Sequence, residues 1–425
     1  MRKMKDSGVE WIGEIPEDWS TSRLGYVCDE FIVPMRDKPQ VFDGNIPWCR
    51  IEDIEGKYLN GTKSEQYVSQ KTIDEMNLKV YPIGTVINSC SATIGVSAIT
   101  TCPLCTNQTF IGLVAGEKIS NVYLYYMMNA LSEYMKFTGH GSTITYISQD
   151  KYKKIGIPLP SIYAQKCIAE YLDSKCTRID EIIDKQRAII EKLKEYKLSI
   201  ITEAVTKGLN PDVEMKDSGV EWIGQMPTSW DCTTVGRIAT VVRGASPRPA
   251  GDPLYFNGND VPWITVAEVT KGDGKYIDGT ETFLTFEGAK QSRIVEEGTL
   301  LLSNSGATLG VPKITRIRGC INDGSVAFYN LSINQEFLLY LFKGRTFELR
   351  KQVQGYGQPN LNTTIVKGIE VPLPTELEQK AIVDFLDQKC TAIEKTIEDR
   401  EKAIEKLQEY KKSLIYEVVT GKKEV

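Results

Sequence analysis

The sequence predicts an α+β protein built twice: two mixed α/β domains, each followed by a long helix, with the two helices packed as an antiparallel coiled coil. Two observations carry this prediction. MKDSGVEWIG runs from Met4 to Gly13 and recurs unchanged from Met215 to Gly224, 211 residues later. A second repeat begins at Leu159 and at Leu373, and it keeps 24 identities over 49 positions without a gap. This duplication predicts two copies of one scaffold, related by a pseudo-two-fold axis.

The repeats divide the 425 residues into four blocks, and a chain of this length has room for two to four domains. Composition is that of a soluble globular protein, with 41% hydrophobic and 25% charged residues. No apolar run approaches the roughly 18 residues that span a bilayer, and the chain starts without a secretory signal. We therefore expect a cytoplasmic protein with no membrane contact. The predicted blocks are residues 1–160, 161–211, 212–374 and 375–425.

The two domain blocks, 1–160 and 212–374, contain short β-branched runs separated by Gly, Pro, Asn and Thr. Gly84 to Thr100 and Gly298 to Thr315 are each typical of a strand, a polar turn and a second strand. Tyr123 to Met135 and Glu336 to Lys351 have the apolar spacing of a buried helix. These patterns predict a mixed α/β domain in each block.

Within the two helix blocks, the segments at about 161–207 and 375–421 have no internal Pro or Gly, and they carry an apolar seam with heptad spacing. Thr375 followed by Glu378 matches a capping box at the start of the second helix. If Leu172 is placed at heptad position a, Ile182 and Ile189 fall at position d. Because one such helix would leave its seam wet, we expect the two copies to pair. The predicted pairing positions are Leu172, Ile179, Ile182, Gln186, Ile189, Leu193 and Ile200 in the first helix, and Leu386, Ile393, Arg400, Leu407 and Leu414 in the second.

Catalytic and metal-binding patterns are missing from the sequence. No Walker A loop, GxGxxG fingerprint, HExxH or GxSxG segment occurs, and no Asn/Asp-Pro-Pro-aromatic methyltransferase motif is present. Cys102 and Cys105 form the one CxxC, and the single histidine, His140, lies in a distant loop. We therefore expect a non-catalytic chain that binds no metal and no cofactor.

Charge gives no bulk attraction to nucleic acid. The chain carries a net charge of −5, and residues 1–160 alone contain 16 Lys and Arg against 18 Asp and Glu. Any DNA binding must therefore depend on cationic side chains clustered on one face, or on phosphate contacts supplied by a partner.

The ordered duplication resembles the specificity (S) subunit of type I restriction–modification systems. The segments that carry the resemblance are MKDSGVEWIGEIPEDW and MKDSGVEWIGQMPTSW, IPLP and VPLP, AQKCIAEYLD and EQKAIVDFLD, and EKLKEYK and EKLQEYK. No single segment is decisive, but the ordered duplication of all of them is highly specific, and the resemblance extends over essentially the whole chain.

The resemblance implies a non-catalytic subunit in which blocks 1–160 and 212–374 are target-recognition domains. Each would read one half of an asymmetric, bipartite site on double-stranded DNA, with a spacer of fixed length. It further implies docking of two adenine-N6 methyltransferase (M) subunits, which would bind S-adenosylmethionine, and of two restriction (R) subunits, which would use ATP and Mg²⁺. None of these cofactors is expected on this chain.

Candidate DNA contacts are polar side chains in four loops of each domain, because base edges are read by Arg, Lys, Asn, Gln, Ser or Thr on projecting segments. Many of these side chains could equally satisfy their own turns, and Arg50 could pair with Glu52 or Asp53. The first-domain candidates are Arg36, Lys38, Arg50, Ser89, Ser91, Asn107, Gln108, His140, Ser142 and Thr143. The second-domain candidates are Arg243, Ser246, Arg248, Thr265, Asn304, Ser305, Asn322, Gln358, Asn360 and Asn362.

Other functions fit the repeat and the heptads as well. A coiled-coil scaffold that binds only proteins would show the same duplication. An RNA-binding module would stack bases on aromatic residues such as Tyr146, Phe283 and Tyr356, but aromatic residues make up only 9% of the chain and do not cluster. A system that only methylates DNA is a variant of the main reading.

Overall fold

The computed structural model describes residues 2–34, 37–91, 93–138, 147–306, 308–352 and 361–425. The chain divides into two compact units, which we call unit 1 and unit 2. Unit 1 comprises Met1–Gln186 and Glu401–Val425, and unit 2 comprises Arg187–Arg400. Each unit contains one mixed α/β domain and segments of both long helices. The predicted α+β class and internal duplication are confirmed.

The first domain contains short strands and helices, and it leads into the first long helix, α5. A 3-10 turn, Ile51–Asp53, follows β5. In chain order the elements are β1 (Met4–Asp6), β2 (Glu14–Pro16), β3 (Ser20–Arg23), α1 (Leu24–Val27), β4 (Cys28–Ile32), β5 (Ile46–Cys49), β6 (Tyr58–Leu59), β7 (Tyr67–Val68), α2 (Gln70–Met76), β8 (Val86–Ser89), β9 (Ser97–Thr100), β10 (Cys105–Thr106), β11 (Phe110–Ala115), α3 (Asn121–Thr138), α4 (Gln149–Lys154), β12 (Gly156–Leu159) and α5 (Ile162–Lys207).

The second domain has the same order of elements with one added strand, β20, and with α7 in place of the 3-10 turn, and it leads into the second long helix, α11. Its elements are β13 (Met215–Asp217), β14 (Gln225–Pro227), β15 (Asp231–Thr234), α6 (Val235–Ile238), β16 (Thr240–Arg243), β17 (Phe256–Ile264), α7 (Val266–Thr270), β18 (Tyr276–Ile277), β19 (Phe283–Leu284), α8 (Phe286–Gln291), β20 (Arg293–Val295), β21 (Leu300–Ser303), β22 (Pro312–Thr315), β23 (Gly319–Ile321), β24 (Ser325–Tyr329), α9 (Gln335–Gln352), α10 (Thr363–Gly368), β25 (Glu370–Leu373) and α11 (Glu376–Val419).

Each domain is organised around a five-stranded sheet of equivalent order. In the first domain the order is β4-β11-β8-β9-β6, and in the second it is β16-β24-β21-β22-β18. Four strands pair antiparallel, while β6 and β18 join one edge in parallel to β9 and β22. The predicted strand–turn–strand segments are β8–β9 and β21–β22, and the predicted buried helices are α3 and α9. Both predictions are confirmed.

The long helices begin and end where local chemistry dictates. At the start of α11 the backbone N–H of Thr375 donates to Glu378 Oε2 over 2.8 Å, and the N–H of Glu378 donates back to Thr375 Oγ1 over 3.4 Å, so the predicted capping box is present. Each helix ends at a glycine with positive φ, 76° at Gly208 and 73° at Gly421. A side chain would be strained in this conformation, which glycine adopts freely.

In unit 1, α5 and the end of α11 run antiparallel. Close to the start of α5, the Tyr123 hydroxyl lies 3.1 Å from the carbonyl oxygen of Pro158 and 3.1 Å from that of Val419, at the end of α11. Further along α5, Asp180 pairs with Lys411 at 2.7 Å. Moving forward on α5 therefore means moving backward on α11.

In unit 2 the other halves of the same helices also run antiparallel. Close to the start of α11, Glu378 accepts a hydrogen bond from Trp230 Nε1 over 3.0 Å. The Trp230 ring packs against Gly208 at the end of α5, where an added Cβ would lie 3.1 Å from Cζ2. Further in, Lys197 pairs with Glu394 at 2.6 Å. The predicted antiparallel pairing is thus confirmed in each unit.

The ion pairs of the two units are copies of each other. At the repeat offset of 214 residues, Asp180 corresponds to Glu394 and Lys197 corresponds to Lys411. Each unit therefore joins an acid from the first half of one helix to a lysine from the second half of the other helix. Duplication of a helix with this charge pattern produces two matching pairs when the copies lie antiparallel.

The heptad phase predicted for position d is wrong. Ile182 and Ile189 are exposed, at 37% and 36%, whereas their neighbours Ile183 and Ile190 are buried at 5% each. Ile-Ile doublets at 182–183 and 189–190 made the phase ambiguous in sequence. The buried residue of the seam therefore lies four positions after each predicted position a, as Ile183 does after Ile179, and not three positions after it. Of the remaining predicted positions, Leu172, Ile179, Leu386, Ile393 and Leu414 are buried, while Gln186, Leu193, Ile200, Arg400 and Leu407 are half-buried.

Candidate nucleic-acid interface

In the second domain, the loop after β16 meets the turn after β23 at Asp323. Arg243 Nε donates to the carbonyl oxygen of Asp323 over 2.8 Å. The Ser246 hydroxyl donates to Asp323 Oδ1 over 2.6 Å, and the Arg248 guanidinium lies 3.7 Å from Oδ2. We call Arg243, Ser246, Arg248 and Asp323 the Asp323 cluster. The structure thus brings three candidates of one loop, Arg243, Ser246 and Arg248, against Asp323 in a turn about 80 residues away in sequence.

The Asp323 cluster holds two guanidinium groups at one residue: Arg243 bonds the backbone carbonyl oxygen of Asp323, and Arg248 faces its carboxylate. Both arginines are exposed, and the Arg248 side chain is 71% exposed. Each guanidinium carries five N–H donors in a planar fork, and the contacts with Asp323 use few of them. Asp323 therefore positions Arg243 through its carbonyl oxygen and Arg248 through its carboxylate, while both arginine side chains remain exposed. Such forks suit phosphate oxygens or the O6 and N7 acceptors of guanine.

Gly244 allows the two loops to approach each other. An added Cβ there would lie 2.1 Å from the carbonyl oxygen of Asn322, closer than any real contact. The backbone N–H of Gly244 donates to Ser325 O over 2.9 Å, and the N–H of Ala245 donates to Ile321 O over 3.1 Å. These bonds fix the arginine-bearing loop to the end of the sheet.

The corresponding surface of the first domain has different chemistry. Gln108 stands where the second domain has Asp323, and it is exposed. Lys38 is also exposed, with Nζ 5.9 Å from the centre of the Phe42 ring. A neutral amide thus replaces the carboxylate that contacts Ser246 and Arg248 in the second domain.

Several candidate side chains are occupied by local structure. The Arg50 guanidinium bonds Gln66 and lies 3.6 Å from Glu52, which agrees with the alternative ion-pair reading. The Thr265 hydroxyl contacts Glu268 and caps α7 in a capping box. These two positions correspond in the repeat, and both sit at the start of a short helix. They are engaged in the fold rather than presented for base readout.

Burial corrects two further candidates. Ser89 and Asn304 are 0% exposed, so neither side chain is available to DNA. Ser89 contacts the Thr93 carbonyl and accepts from Val96 N over 2.9 Å, which closes the turn between β8 and β9. The Ser89 side chain therefore serves its own turn.

The remaining candidates differ in exposure and in local role. Asn107 accepts from the Thr109 hydroxyl over 2.5 Å, and exposed Asn362 caps α10 by accepting from Ile365 N over 2.9 Å. Ser91, Ser305 and Asn322 are half-buried. The candidates Arg36, His140, Ser142, Thr143, Gln358 and Asn360 lie outside the described residues.

Metal chemistry finds no support in the described part of the chain. No group of three or more His, Cys, Asp or Glu side chains there could hold an ion. In the CxxC segment, burial raises the pKa of Cys105 to about 12, which favours the neutral thiol over the thiolate that binds zinc. Across the described residues, no helix has the length and apolar character that crossing a bilayer requires.

A repeat inside the divergent domains was missed in the sequence. The pattern Gly-Lys-Tyr-x-x-Gly-Thr occurs from Gly56 to Thr62 and again from Gly274 to Thr280. Its lysines, Lys57 and Lys275, form ion pairs with the long helices. A search for matches at an offset of 218 residues, instead of 211 or 214, would have found it.

The chain matches the family model of the type I restriction modification DNA specificity domain twice, over residues 16–195 and 227–405. These matches cover most of the chain, so it belongs to the family of type I restriction–modification specificity subunits. It therefore contains two target-recognition domains, as the sequence resemblance predicted. Specificity subunits are the non-catalytic components of these systems.

Individual relatives agree with this assignment. The chain is 25% identical to the type I restriction enzyme MjaIX specificity subunit of Methanocaldococcus jannaschii, over 86% of this chain and 85% of that protein. It is also 25% identical to the MjaVIII specificity subunit of the same organism, over 96% and 93%. A solved structure from a study of complex assembly and conformational transition in the type I restriction–modification system shares the fold. Its TM-score is 0.70 at 18% identity, over 95% of this chain and 98% of that one.

Proposed function

We propose that this chain recognises an asymmetric, bipartite site on double-stranded DNA, with one half read by each target-recognition domain. The observation that carries the proposal is the contrast between the two loop surfaces on one duplicated scaffold. The second domain presents the Asp323 cluster with its two arginines, whereas the first domain presents Lys38 and Gln108. Unlike side chains on like frames suit two unlike half-sites.

Partner subunits complete the proposed complex. Two methyltransferase subunits carrying S-adenosylmethionine would dock on the duplicated helices, and two restriction subunits would supply ATP- and Mg²⁺-dependent chemistry. Equivalent residues Tyr196 and Tyr410 are both exposed, at 57% and 53%, so each helix offers a similar aromatic surface. A net charge of −5 also favours a complex in which partners contribute phosphate contacts.

The test is the change Arg248→Ala in the chain assembled with its methyltransferase subunits, followed by sequencing of methylated adenines in a random DNA library. Loss of a bidentate arginine contact costs about 1–3 kcal/mol, or roughly 5- to 150-fold in discrimination at one base. We expect relaxed sequence preference in one half-site, with the other half-site unchanged.

Two matched variants make the test specific. Arg318→Ala removes the same charge from the same domain. Because Arg318 Nε donates to Glu296 Oε1 over 3.0 Å and Arg318 is not part of the Asp323 cluster, recognition of both half-sites should be unchanged. Lys38→Ala should affect only the half-site that Arg248→Ala spares. Equal loss at both half-sites in each variant would contradict readout by separate domains.

A further inference from the structure

The repeated Gly-Lys-Tyr segments form the edge strands β6 and β18 of the two five-stranded sheets. The Lys57 carbonyl accepts from Ile99 N over 2.7 Å, and the Lys275 carbonyl accepts from Ile314 N over 2.9 Å. Each lysine backbone is therefore fixed to its sheet. Each side chain extends away from the sheet to a long helix, so one residue connects the two elements.

In unit 1 the segment of β6 and helix α3 converge on one carboxylate of α5. Lys57 Nζ lies 2.6 Å from Asp173 Oδ1, and the Tyr126 hydroxyl on α3 donates to the same oxygen. The ammonium group also lies 4.7 Å from the centre of the Tyr58 ring. The Lys57 side chain is 17% exposed and the Asp173 side chain is 40% exposed, so the pair is partly shielded from solvent.

Unit 2 repeats the arrangement on α11 with one addition. Lys275 Nζ lies 2.7 Å from Asp387 Oδ1, and the Tyr340 hydroxyl on α9 donates to that oxygen. Lys275 also lies 2.9 Å from Glu336, which accepts from the Tyr276 hydroxyl over 2.7 Å. Burial alone would lower the pKa of Lys275, but its hydrogen bonds to Asp387 and Glu336 outweigh burial and raise it. The lysine is therefore held as a cation.

These ion pairs provide a directional contact between each domain and its long helix, which apolar packing does not provide. The core between each domain and its helices consists of aliphatic and aromatic side chains, whose attraction has little directional preference. A hydrogen-bonded ion pair with fixed geometry resists sliding and rotation. Since the sheet also carries the turns of the candidate DNA surface, its angle to the helix sets where those turns lie.

On the basis of the proposed function, we propose that Lys57–Asp173–Tyr126 and Lys275–Asp387–Tyr340 are positioning clamps. Each clamp holds its target-recognition domain at one orientation on the helix within its unit, and thereby limits the spacer length that the complex accepts between half-sites. The clamp residues lie outside the candidate DNA-binding loops, so we expect the sequence of each half-site not to depend on them.

The two clamps differ in how they respond to loss of the aspartate. In unit 2, Asp387→Asn leaves Glu336 as a carboxylate partner for Lys275. In unit 1, Val122 occupies the position that corresponds to Glu336. Asp173→Asn therefore removes the one carboxylate that pairs with Lys57 among the described residues. The Asp173 clamp is therefore the more sensitive of the two.

The experiment measures methylation by the chain in complex with its methyltransferase subunits. Substrates are duplexes with the native half-sites separated by the native spacer, or by a spacer one base pair shorter or longer. For Asp173→Asn we expect the preference for the native spacer to fall about fivefold, the scale on which loss of one shielded ion pair shifts an equilibrium. Asp387→Asn should lower it less, by about twofold.

Three further variants separate positioning from simple destabilisation. Glu181→Gln removes one charge from an exposed position of the same helix and should leave the spacer preference unchanged. Asp173→Glu keeps the carboxylate and should therefore retain more of the preference for the native spacer than Asp173→Asn does. Tyr126→Phe removes a single hydroxyl from the clamp, so it tests the same prediction if Asp173→Asn does not fold.

The outcomes are distinct. A lower spacer preference with unchanged half-site sequences supports the clamp. If activity in Asp173→Asn and Tyr126→Phe falls equally on all three spacers, these residues are only structural and the inference is overturned. If the unaltered chain shows no bipartite site at all, the proposed function itself fails.

Discussion

Asn88 in the first domain and Leu302 in the second occupy the same position of equivalent strands, and both are completely buried. The Asn88 amide donates to Ser97 Oγ over 2.6 Å, and its carbonyl accepts from the Tyr152 hydroxyl over 2.6 Å. The second domain has Pro312 where the first has Ser97, and it has Val366 where the first has Tyr152. A polar residue and its partners have thus been exchanged together for an apolar set.

Two positions further along, the polarity is reversed. Asn304 in the second domain is completely buried where the first domain has Cys90. Neither its amide nitrogen nor its carbonyl oxygen has a hydrogen-bond partner among the described residues, and the nearby Ser325 hydroxyl has none there either. Satisfied buried polar groups are tolerated, while unsatisfied ones cost stability. The comparison shows that a buried position can change between the two copies without loss of stability only where its hydrogen-bond partners change with it.

The largest expected effect comes from breaking the satisfied set. Asn88→Leu installs the residue of the second domain without its apolar neighbours, and it removes the acceptor of the Tyr152 hydroxyl and the donor to Ser97. We expect a loss of about 2–3 kcal/mol in the free energy of unfolding, measured with urea. Adding Tyr152→Phe should recover part of the loss. Equal and additive losses would show that the two side chains are not coupled.

The opposite exchange should stabilise the second domain. Asn304→Cys installs the residue of the first domain and removes a buried amide that lacks partners. The expected gain in the free energy of unfolding is about 1–2 kcal/mol, again by urea titration. Asn304→Asp is the matched control, since it keeps the shape and should destabilise. If Asn304→Cys lowers stability instead, the Asn304 amide forms stabilising hydrogen bonds in the folded protein, and the prediction is wrong.

The sequence predicted the helices and strands of this molecule better than the contacts of its surface loops. The long helices, the capping box at Thr375 and the strand–turn–strand segments depend on neighbours within a few residues, so local patterns predict them. The heptad phase failed at Ile182 and Ile189 because adjacent isoleucines satisfy two phases, and only the partner helix selects one.

The candidate site depended on distant contacts, which a local pattern does not contain. Arg243, Ser246 and Arg248 were predicted as separate contacts, but their convergence on Asp323 requires the fold to bring two loops together. Ser89 and Thr265 have the residue types of DNA contacts, yet each is used by its own turn or helix start. Polar side chains in loops cannot be assigned until their nearest donors and acceptors are known.

The smallest expected effect concerns another exchanged position, Lys343 in the second domain and Asn129 in the first. Burial, together with the nearby Lys197, lowers the pKa of Lys343 to about 8. The unfolded chain therefore binds more protons than the folded chain between about pH 8 and pH 10.5, so this residue makes stability rise with pH across that window and costs stability below it. Its ammonium also donates to the Asp273 carbonyl over 2.7 Å, which offsets part of that cost.

Lys343→Asn should therefore stabilise unit 2 by about 1 kcal/mol at pH 7, and the gain should disappear near pH 10. Urea titrations of both proteins at the two pH values measure the difference, in which titration of all other groups cancels. Lys367→Asn, an exposed change in the same domain, should give the same small effect at both pH values. A gain from Lys343→Asn that does not depend on pH would mean that Lys343 keeps an ordinary pKa, and that the two domains differ at this position in packing rather than in charge.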